Sequence, residues 1–409
     1  MSIKVNENYK NLAQNYLFKT IAEKVSAYTQ ANPDKKIIRL GIGDVTLPLT
    51  PSVIEAMHKA VDEMGHQETF KGYGSEAGYD FAIDAVRNHY EKSGVILKKN
   101  EVFISDGAKS DCGNITDIFG DNEILIPDPV YPVYLDSNVM CGRKVQFIAA
   151  NQENGFLPLP DAIEKKSYII YICSPNNPTG AVYNKEQLKQ WVDFANESES
   201  VIIFDSAYEA FIHGDYPHSI FEIEGSRTCA IEICSLSKTA GFTGTRMGWT
   251  IVPEELVCSG TALNPMWNRR QSTKFNGTAY IIQRGGQAAL SEEGFKECQE
   301  NIAYYMENAK LIASALDEKG IWYTGGISSP YIWLKCPNNM SSWEFFDYLL
   351  NELQIVGTPG CGFGPQGEGY FRLTSFGSRE ATLEAIEKSE TSNKERSFCP
   401  SPILYTHSN

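Results

Sequence analysis

Between residues 80 and 285 the sequence alternates short apolar runs with stretches of helical pattern, and this alternation limits the folds open to the chain. Continuous apolar runs rich in β-branched residues are typical of strands that are buried on both faces of a parallel sheet. Parallel strands need long crossover connections, which are usually helices. The sequence therefore predicts an α/β fold with a mostly parallel central sheet. The predicted strands are residues 102–105, 123–126, 144–148, 168–173, 201–204, 229–234 and 248–252, with a helix at 185–196 that begins after Asn184.

The pattern changes after Gly285, where a long helical stretch (293–319) leads into short strands at 331–334 and 369–374 with a helix near 342–353. This succession predicts a smaller α+β domain, completed by the N-terminal segment. We assign residues 45–285 to a large domain and residues 1–44 and 286–390 to the small domain. The last helix is expected at 380–388. Residues 391–409 are polar, contain two prolines and lack periodicity, so we expect a disordered tail.

The charge balance excludes one class of partner. The chain has 36 Lys and Arg against 51 Asp and Glu, a formal net charge of −15. Nucleic-acid binders need basic surfaces, so none is expected here, although a basic pocket for one small anion is compatible with this balance. The cysteines form no C-x-x-C pair, and no histidine lies in H-E-x-x-H, so no metal is expected. No signal peptide or membrane span is evident, which predicts a cytoplasmic protein without membrane partners.

The most informative stretch is SLSKTAGFTGTRMGW, residues 235–249. Lys238 directly follows a predicted buried strand, and ligands of open α/β sheets bind where such strands end. Partial desolvation there would lower the pKa of the lysine and make it a nucleophile. Arg246 follows eight residues later, and a guanidinium is suited to gripping phosphate. By itself this stretch fits a surface lysine and a salt-bridging arginine about equally well.

Three other strand ends carry polar residues that favour a ligand site. Asp205 ends the predicted strand in VIIFDSAYEA and is followed by Tyr208. The predicted strand in YIIYICSPNNPTG is followed by a turn that contains Asn177. In FISDGAKSD, a predicted helix begins at 107–109, where free backbone N–H groups would attract an anion. A tight turn and a helix cap explain single members of this set. The convergence of four such ends on one crevice favours a shared site.

This ordered set resembles the fold-type I aminotransferases that use pyridoxal 5'-phosphate (PLP). The matching motifs are SPNNPTG, the Asp205-x-x-Tyr208 pair, Ser235-x-Ser237-Lys238 with Arg246-x-Gly248, and a late arginine in FRLTSFG, and the resemblance covers residues 10–390. It implies an α/β fold-type I structure, with a large domain built on a mostly parallel central sheet and a smaller α+β domain. It also implies PLP as the cofactor.

The resemblance also implies roles for individual residues. Lys238 would bind the cofactor covalently and move the substrate proton, Asp205 would hold the ring nitrogen protonated, and Tyr208 would contact the ring 3-hydroxyl. Two further positions serve both cofactor and substrate: Asn177 would contact the 3-hydroxyl and the substrate, and Tyr131 would stack on the ring beside the substrate. Arg372 would clamp the substrate α-carboxylate. The residues implied for the cofactor phosphate are Ala108, Lys109, Ser235, Ser237 and Arg246.

A narrower resemblance is to the LL-diaminopimelate aminotransferase family. It rests on RLGIGDVTLPL, FKGYGSEAGYDFAI, SIFEIEGS, KFNGTA and PGCGFGPQGEG in addition to the motifs above. It implies amino-group transfer between LL-2,6-diaminopimelate and 2-oxoglutarate, giving (S)-2,3,4,5-tetrahydrodipicolinate and L-glutamate in lysine biosynthesis. The substrate carries an amino acid group at each end, so its distal end needs an acceptor as well as donors.

In that family, residues of the neighbouring subunit bind the distal end of the substrate, which implies a homodimer with shared active sites. Glu76 would accept from the distal ammonium, Asn276 would contact the distal carboxylate and the cofactor, and Lys109 would also serve that carboxylate. Tyr73 would reach a cofactor phosphate in the neighbouring subunit. Two more residues are implied to close over the substrate, Tyr16 and Gly43.

Other assignments share most of these residues. An aminotransferase for aspartate or aromatic substrates, or a PLP-dependent β-lyase, would use Lys238 and Arg372 equally. Only the contexts of Glu76 and Asn276 discriminate among them. A binding protein that keeps the fold without turnover is disfavoured, because no expected catalytic position is lost. Ser235-x-x-Lys238 formally fits a serine-enzyme motif, but neither S-D-N nor K-T-G follows.

Overall fold

A computed structural model describes residues 3–12, 17–41 and 43–397 of the chain. The predicted substrate residue Tyr16 lies outside the described residues. The α-helices are α1 Leu17–Ala31, α2 Pro51–Met64, α3 Asp80–Glu91, α4 Ala108–Asn114, α5 Val133–Met140, α6 Lys185–Glu197, α7 Leu236–Thr239, α8 Leu263–Lys274, α9 Tyr280–Leu290, α10 Glu292–Glu318, α11 Ser342–Tyr348 and α12 Arg379–Ser397. The strands are β1 Ile38–Arg39, β2 Val102–Ser105, β3 Ile124–Asp128, β4 Val145–Ala149, β5 Ile169–Cys173, β6 Val201–Asp205, β7 Ala230–Ser235, β8 Gly248–Ile251, β9 Val257–Cys258, β10 Thr261–Ala262, β11 Tyr323–Gly325, β12 Tyr331–Lys335, β13 Ile355–Val356, β14 Thr358–Pro359 and β15 Tyr370–Thr374.

A seven-stranded sheet in the order β2-β8-β7-β6-β5-β3-β4 forms the centre of the large domain. The pairs from β7 to β4 are parallel, and β8 runs antiparallel to both β2 and β7. All residues of β3, β5, β6 and β7 are buried, because helices cover both faces of the sheet. The predicted mostly parallel α/β architecture is therefore confirmed.

The direction of β8 helps to assemble the site. The carboxyl ends of β2, β6 and β7 lie at one edge of the sheet, and Gly248 at the start of β8 pairs with both Ser105 and Ser235. Because β8 is reversed, the loop that precedes it arrives at this same edge. Arg246, two residues before β8, is thereby brought beside the ends of β2 and β7.

A second sheet, β11-β12-β15-β14, is antiparallel throughout and belongs to the smaller α+β unit. Its core contains Phe346 and Phe371 together with Val25 from α1 and Ile38 from β1, so the N-terminal segment packs into this unit. A short parallel pair, β1 with β13, extends the contact. The N-terminal and C-terminal parts of the chain therefore share one hydrophobic core.

Two expectations differ from the structure. The predicted domain boundary after Gly285 falls inside α9, because Gly285 and Gly286 do not form a break there. A Cβ at these two positions would lie 2.4 Å from Met57 and 2.1 Å from Met247, so the glycines allow close helix packing. The last helix, α12, ends at Ser397 rather than near residue 388, because extending a helix that is already anchored in the core at Ala385 requires no new nucleation. It extends into the segment 391–409, where we expected disorder; residues 398–409 lie outside the described residues.

Within the described residues, no helix combines the length and the apolar character that crossing a membrane requires.

Candidate active site

A cavity of about 410 Å³ opens at the carboxyl edge of the large sheet, between this sheet and the sheet that contains β12 and β15. Twelve residues predicted from the sequence line it: Gly43, Ala108, Lys109, Tyr131, Asn177, Asp205, Tyr208, Ser235, Ser237, Lys238, Arg246 and Arg372. Other lining residues were not predicted, among them Asp44, Tyr134, Cys173, Thr243 and Tyr331. Residues separated by more than 300 positions in the sequence thus face one space.

Lys238 lies in the short helix α7 directly after β7, and its amine is partly buried in the cavity. Its Nζ donates a hydrogen bond to the backbone carbonyl of Gly43. Burial lowers the pKa of Lys238 to about 8, and the positive charges of Arg372 and Arg246 act in the same direction, whereas Asp44 opposes them. A neutral, nucleophilic amine is therefore accessible near physiological pH.

Serine and arginine donors form a cradle beside this lysine. The Ser235 hydroxyl donates to Ser237 Oγ at 2.9 Å, and Arg246 Nη1 donates to the same Ser237 oxygen at 3.3 Å. Gly107, at the start of α4, has φ 125° and ψ 157°, and a Cβ there would lie 2.3 Å from Arg246 Nη2. Only glycine lets the backbone and the guanidinium approach this closely. The arrangement is suited to a phosphate group.

Asp205 provides a buried carboxylate at the end of β6, deeper in the cavity. Tyr134 donates its hydroxyl proton to Asp205 Oδ2 at 2.5 Å, Cys112 Sγ contacts the same oxygen at 3.9 Å, and the Ala207 N–H donates to Oδ1 at 3.0 Å. Burial raises the pKa of Asp205, whereas these donors favour its charged form. A cationic ring nitrogen is the kind of partner that such a carboxylate requires.

Tyr134 was missed by the sequence analysis. It follows Tyr131 by three residues at the start of α5, a spacing that places both side chains on one side of a helical turn, and their ring centroids are 5.9 Å apart. This spacing in DPVYPVY is the signal that could have identified it.

Arg372 is 1% exposed and lies in the middle of the small sheet, paired with Trp333 and Thr358. Its Nη1 donates to Asn177 Oδ1 at 2.6 Å, and its Nη2 donates to the Gly41 carbonyl at 2.9 Å. Within the described part of the chain its Nε has no hydrogen-bond partner and no carboxylate acts on it. Burial accordingly lowers its pKa. A buried cation without an acidic partner needs an anion from a ligand.

Tyr208 and Tyr331 are in contact between the two sheets. Both are buried, and their hydroxyl oxygens are 2.5 Å apart. Tyr208 follows β6 in the large domain, whereas Tyr331 begins β12 in the small domain. Tyr331 carried no sequence signal, because it is the first residue of an ordinary apolar strand.

The residues expected to act across a subunit interface lie elsewhere. Tyr73 is 92% exposed, Asn276 is exposed and Glu76 is partly buried, and none of them lines the cavity of their own chain. A Cβ on Gly277 would lie 3.0 Å from the Ser75 carbonyl oxygen, so the two loops contact each other. They form one surface feature, separate from the cavity.

The donor set fits PLP. The cavity combines a partly buried amine, a buried carboxylate, a serine–arginine cradle and the flanking ring of Tyr131. These groups match an aldehyde, a pyridine nitrogen, a phosphate and a ring face. Among the described residues, no group of His, Cys, Asp and Glu side chains has the arrangement of a metal site.

Comparison with known proteins agrees with this chemistry. The family model "Aminotransferase class I and II" matches residues 35–388. The chain is 55% identical to the LL-diaminopimelate aminotransferase of Lachnospira eligens, over 94% of this chain and 98% of that protein. It is 53% identical to the protein of the same name from Methanosphaera stadtmanae, over 95% and 98%. A solved structure of L,L-diaminopimelate aminotransferase from Chlamydomonas reinhardtii superposes with a TM-score of 0.90 at 40% identity, covering 96% of this chain and 99% of that one.

Proposed function

The chain belongs to the class I and II aminotransferase family, and on this premise we propose that it transfers an amino group between LL-2,6-diaminopimelate and 2-oxoglutarate. The products are (S)-2,3,4,5-tetrahydrodipicolinate and L-glutamate, a step of lysine biosynthesis. The observation that carries the amino-acid part of the proposal is Arg372, a buried cation in the cavity without an acidic partner among the described residues, which would bind an α-carboxylate. The relatives that share more than half of its residues support this substrate pair over aspartate or aromatic substrates.

PLP, when bound, supplies an electron sink that stabilises negative charge at the substrate α-carbon. Lys238 would hold it at the aldehyde carbon, and Asp205 would keep the ring nitrogen protonated through a charge-assisted hydrogen bond. The cradle of Ser235, Ser237 and Arg246 would hold the phosphate. The positions of these side chains around one cavity support these roles.

The chain's own residues then bind and orient the substrate. Arg372 would grip the α-carboxylate, which replaces the missing counter-ion of its guanidinium. Lys238 would carry the proton that leaves the substrate α-carbon, because its lowered pKa makes the neutral amine an available base. Tyr131 would cover the cofactor ring on one side and restrict water.

Lys109, which lines the cavity and is exposed, would serve the distal end of the substrate from the same chain. Glu76 and Asn276 do not reach this cavity, so we propose that they come from a second copy of the chain. A homodimer would bring the exposed loop with Tyr73 and Glu76 of each copy to the other copy's cavity. The exposure of Tyr73 supports such an interface.

The test is single-turnover loss of the bound cofactor's visible absorbance after mixing with LL-diaminopimelate, glutamate, aspartate or phenylalanine. We expect rapid loss with the first two amino acids only. Rapid loss with aspartate or phenylalanine instead would retain amino transfer and refute the proposed substrate. Lys238→Ala is the negative control, because it leaves Arg372 and Arg246 in place and removes both the covalent attachment of the cofactor and the base, so glutamate should no longer form from 2-oxoglutarate with any amino acid.

A further inference from the structure

Tyr331 lies between Tyr208 and Arg372. The proposed function assigns Tyr208 to the cofactor and Arg372 to the substrate carboxylate. Its hydroxyl oxygen lies 2.5 Å from that of Tyr208, and the two rings meet edge to face with centroids 5.1 Å apart. On its other side, the Arg372 Cζ lies 4.5 Å from the centroid of the Tyr331 ring. Tyr331 thus contacts a large-domain phenol and a small-domain cation at once.

The strand register fixes this contact with Arg372. Tyr331 pairs with Thr374 across β12 and β15, and Arg372 lies two residues away on β15. Diagonal neighbours of this kind share one face of the sheet. Both side chains are 1% exposed, so water does not screen the guanidinium from the phenol.

The hydroxyl of either tyrosine can donate in this pair, and the two directions leave different protons available to a ligand. Each tyrosine hydroxyl has one proton and can accept two hydrogen bonds. If Tyr208 donated to Tyr331, it would have no proton left for a ligand in the cavity. If Tyr331 donates, the Tyr208 proton is free to face the cavity, which both residues line.

We propose that Tyr331 is a positioning residue that donates to Tyr208, directs the Tyr208 proton to the cofactor 3-hydroxyl oxygen, and ties the strength of this donation to the charge on Arg372. A cation against a phenol strengthens it as a donor. A carboxylate bound to Arg372 neutralises that cation and weakens the chain of donors. The inference rests on the proposed function only in taking the ligand to be PLP and the anion to be a substrate carboxylate.

Arg372 can also affect the cofactor 3-hydroxyl oxygen through Asn177, and the experiment has to separate this effect from the one through Tyr331. Arg372 also donates directly to Asn177 Oδ1 at 2.6 Å, and the Asn177 amide could donate to the same cofactor oxygen. Tyr331→Phe removes only the hydroxyl and leaves the stacked ring, the guanidinium and Asn177 unchanged. This substitution therefore isolates the Tyr331 route.

The experiment is a pH titration of the visible absorbance of the PLP-bound enzyme, with and without saturating succinate, a dicarboxylate that has no amino group to transfer. The variants are Tyr331→Phe, Tyr208→Phe and the double variant. Tyr183→Phe is the matched control, since it also removes a buried tyrosine hydroxyl, one that donates to the Pro158 carbonyl at 2.9 Å outside the cavity. Thermal unfolding and the PLP dissociation constant are measured for each protein.

Tyr331→Phe is expected to raise the apparent pKa of the absorbance change by about 0.5–1 unit, the effect of losing one hydrogen bond. It should also reduce the upward shift that succinate causes, whereas Tyr183→Phe should change neither value. In the Tyr208→Phe background the second substitution should have no further effect. A pKa and a succinate shift within about 0.2 unit of the wild-type values, or additive effects in the double variant, would overturn the proposal.

The titration requires no turnover of diaminopimelate. Failure of the substrate test would refute the proposed reaction and leave this result standing. A normal substrate test together with an unchanged Tyr331→Phe titration would refute only the role of Tyr331.

Discussion

Gly107→Ala is predicted to lower both the stability of the protein and its affinity for PLP, for two different physical reasons. Gly107 has φ 125° and ψ 157°, a backbone conformation that is essentially restricted to glycine. An alanine held there is strained by about 1–3 kcal/mol. This strain is present with and without the cofactor, so it lowers the thermal midpoint of the cofactor-free protein but not the affinity.

The affinity changes through Arg246. The new Cβ would lie 2.3 Å from Arg246 Nη2, so the guanidinium must move away from the cradle. Losing one hydrogen bond between a charged donor and the phosphate costs about 1.5–3 kcal/mol. The PLP dissociation constant should therefore rise by a factor of about 10 to 150.

The assay is equilibrium dialysis of the cofactor-free protein against PLP, together with thermal unfolding. Gly94→Ala is the matched control, because Gly94 also has a positive φ of 77° and a Cβ there would meet no atom within 4 Å. It should lower the thermal midpoint and leave PLP affinity unchanged. A PLP dissociation constant for Gly107→Ala within about twofold of wild type would show that Arg246 does not hold the phosphate.

Three further predictions address the base, the ring nitrogen and the distal substrate group. Burial lowers the pKa of Lys238 to about 8, so its neutral fraction grows about tenfold per pH unit below that value. The rate of covalent PLP uptake, measured by stopped-flow absorbance, should rise with this fraction and level off above about pH 8. A rate independent of pH would contradict this prediction. Tyr134→Phe keeps the ring stacked on Tyr171, with centroids 5.0 Å apart, and removes a hydrogen-bond donor to the charged form of Asp205. The pH below which PLP binding weakens, measured from the dissociation constant as a function of pH, should therefore rise by about one unit. An unchanged value would show that Tyr134 does not stabilise the carboxylate. Glu76→Gln should lower kcat/KM for LL-diaminopimelate by about tenfold or more and leave glutamate nearly unchanged, and equal losses for both would remove Glu76 from substrate recognition.

The sequence by itself determined the central sheet and most of the cavity wall. Buried parallel strands are continuous apolar runs, so β2 was predicted at its observed bounds and the neighbouring strands within one or two residues. The polar groups that matter follow directly after these strands, and the carboxyl ends of parallel strands meet at one edge. Lys238, Asp205 and Asn177 could therefore be assigned to one site from local patterns and the family resemblance.

Sequence patterns within one segment did not predict the bounds of α9 and α12, because these bounds depend on residues that are distant in the sequence. The sequence pattern changes after Gly285, yet helix α9 continues through Gly285 and Gly286, where the absence of a Cβ leaves room for the side chains of Met57 and Met247. The polar C-terminal segment continues as α12 to Ser397, because it extends a helix whose earlier turns are anchored in the core at Ala385.

The charge states and the positioning contacts arose only in the tertiary structure. Arg372 gains its acceptors from Asn177 and Gly41, residues that are 195 and 331 positions away in the sequence. Tyr331 has no sequence pattern that distinguishes it from a core tyrosine, and Tyr134 has only its spacing from Tyr131. Their roles come from their contacts with Tyr208 and Asp205, respectively. The physical reason is that burial and the identity of a partner set both pKa and hydrogen-bond direction, and neither property is encoded in adjacent residues.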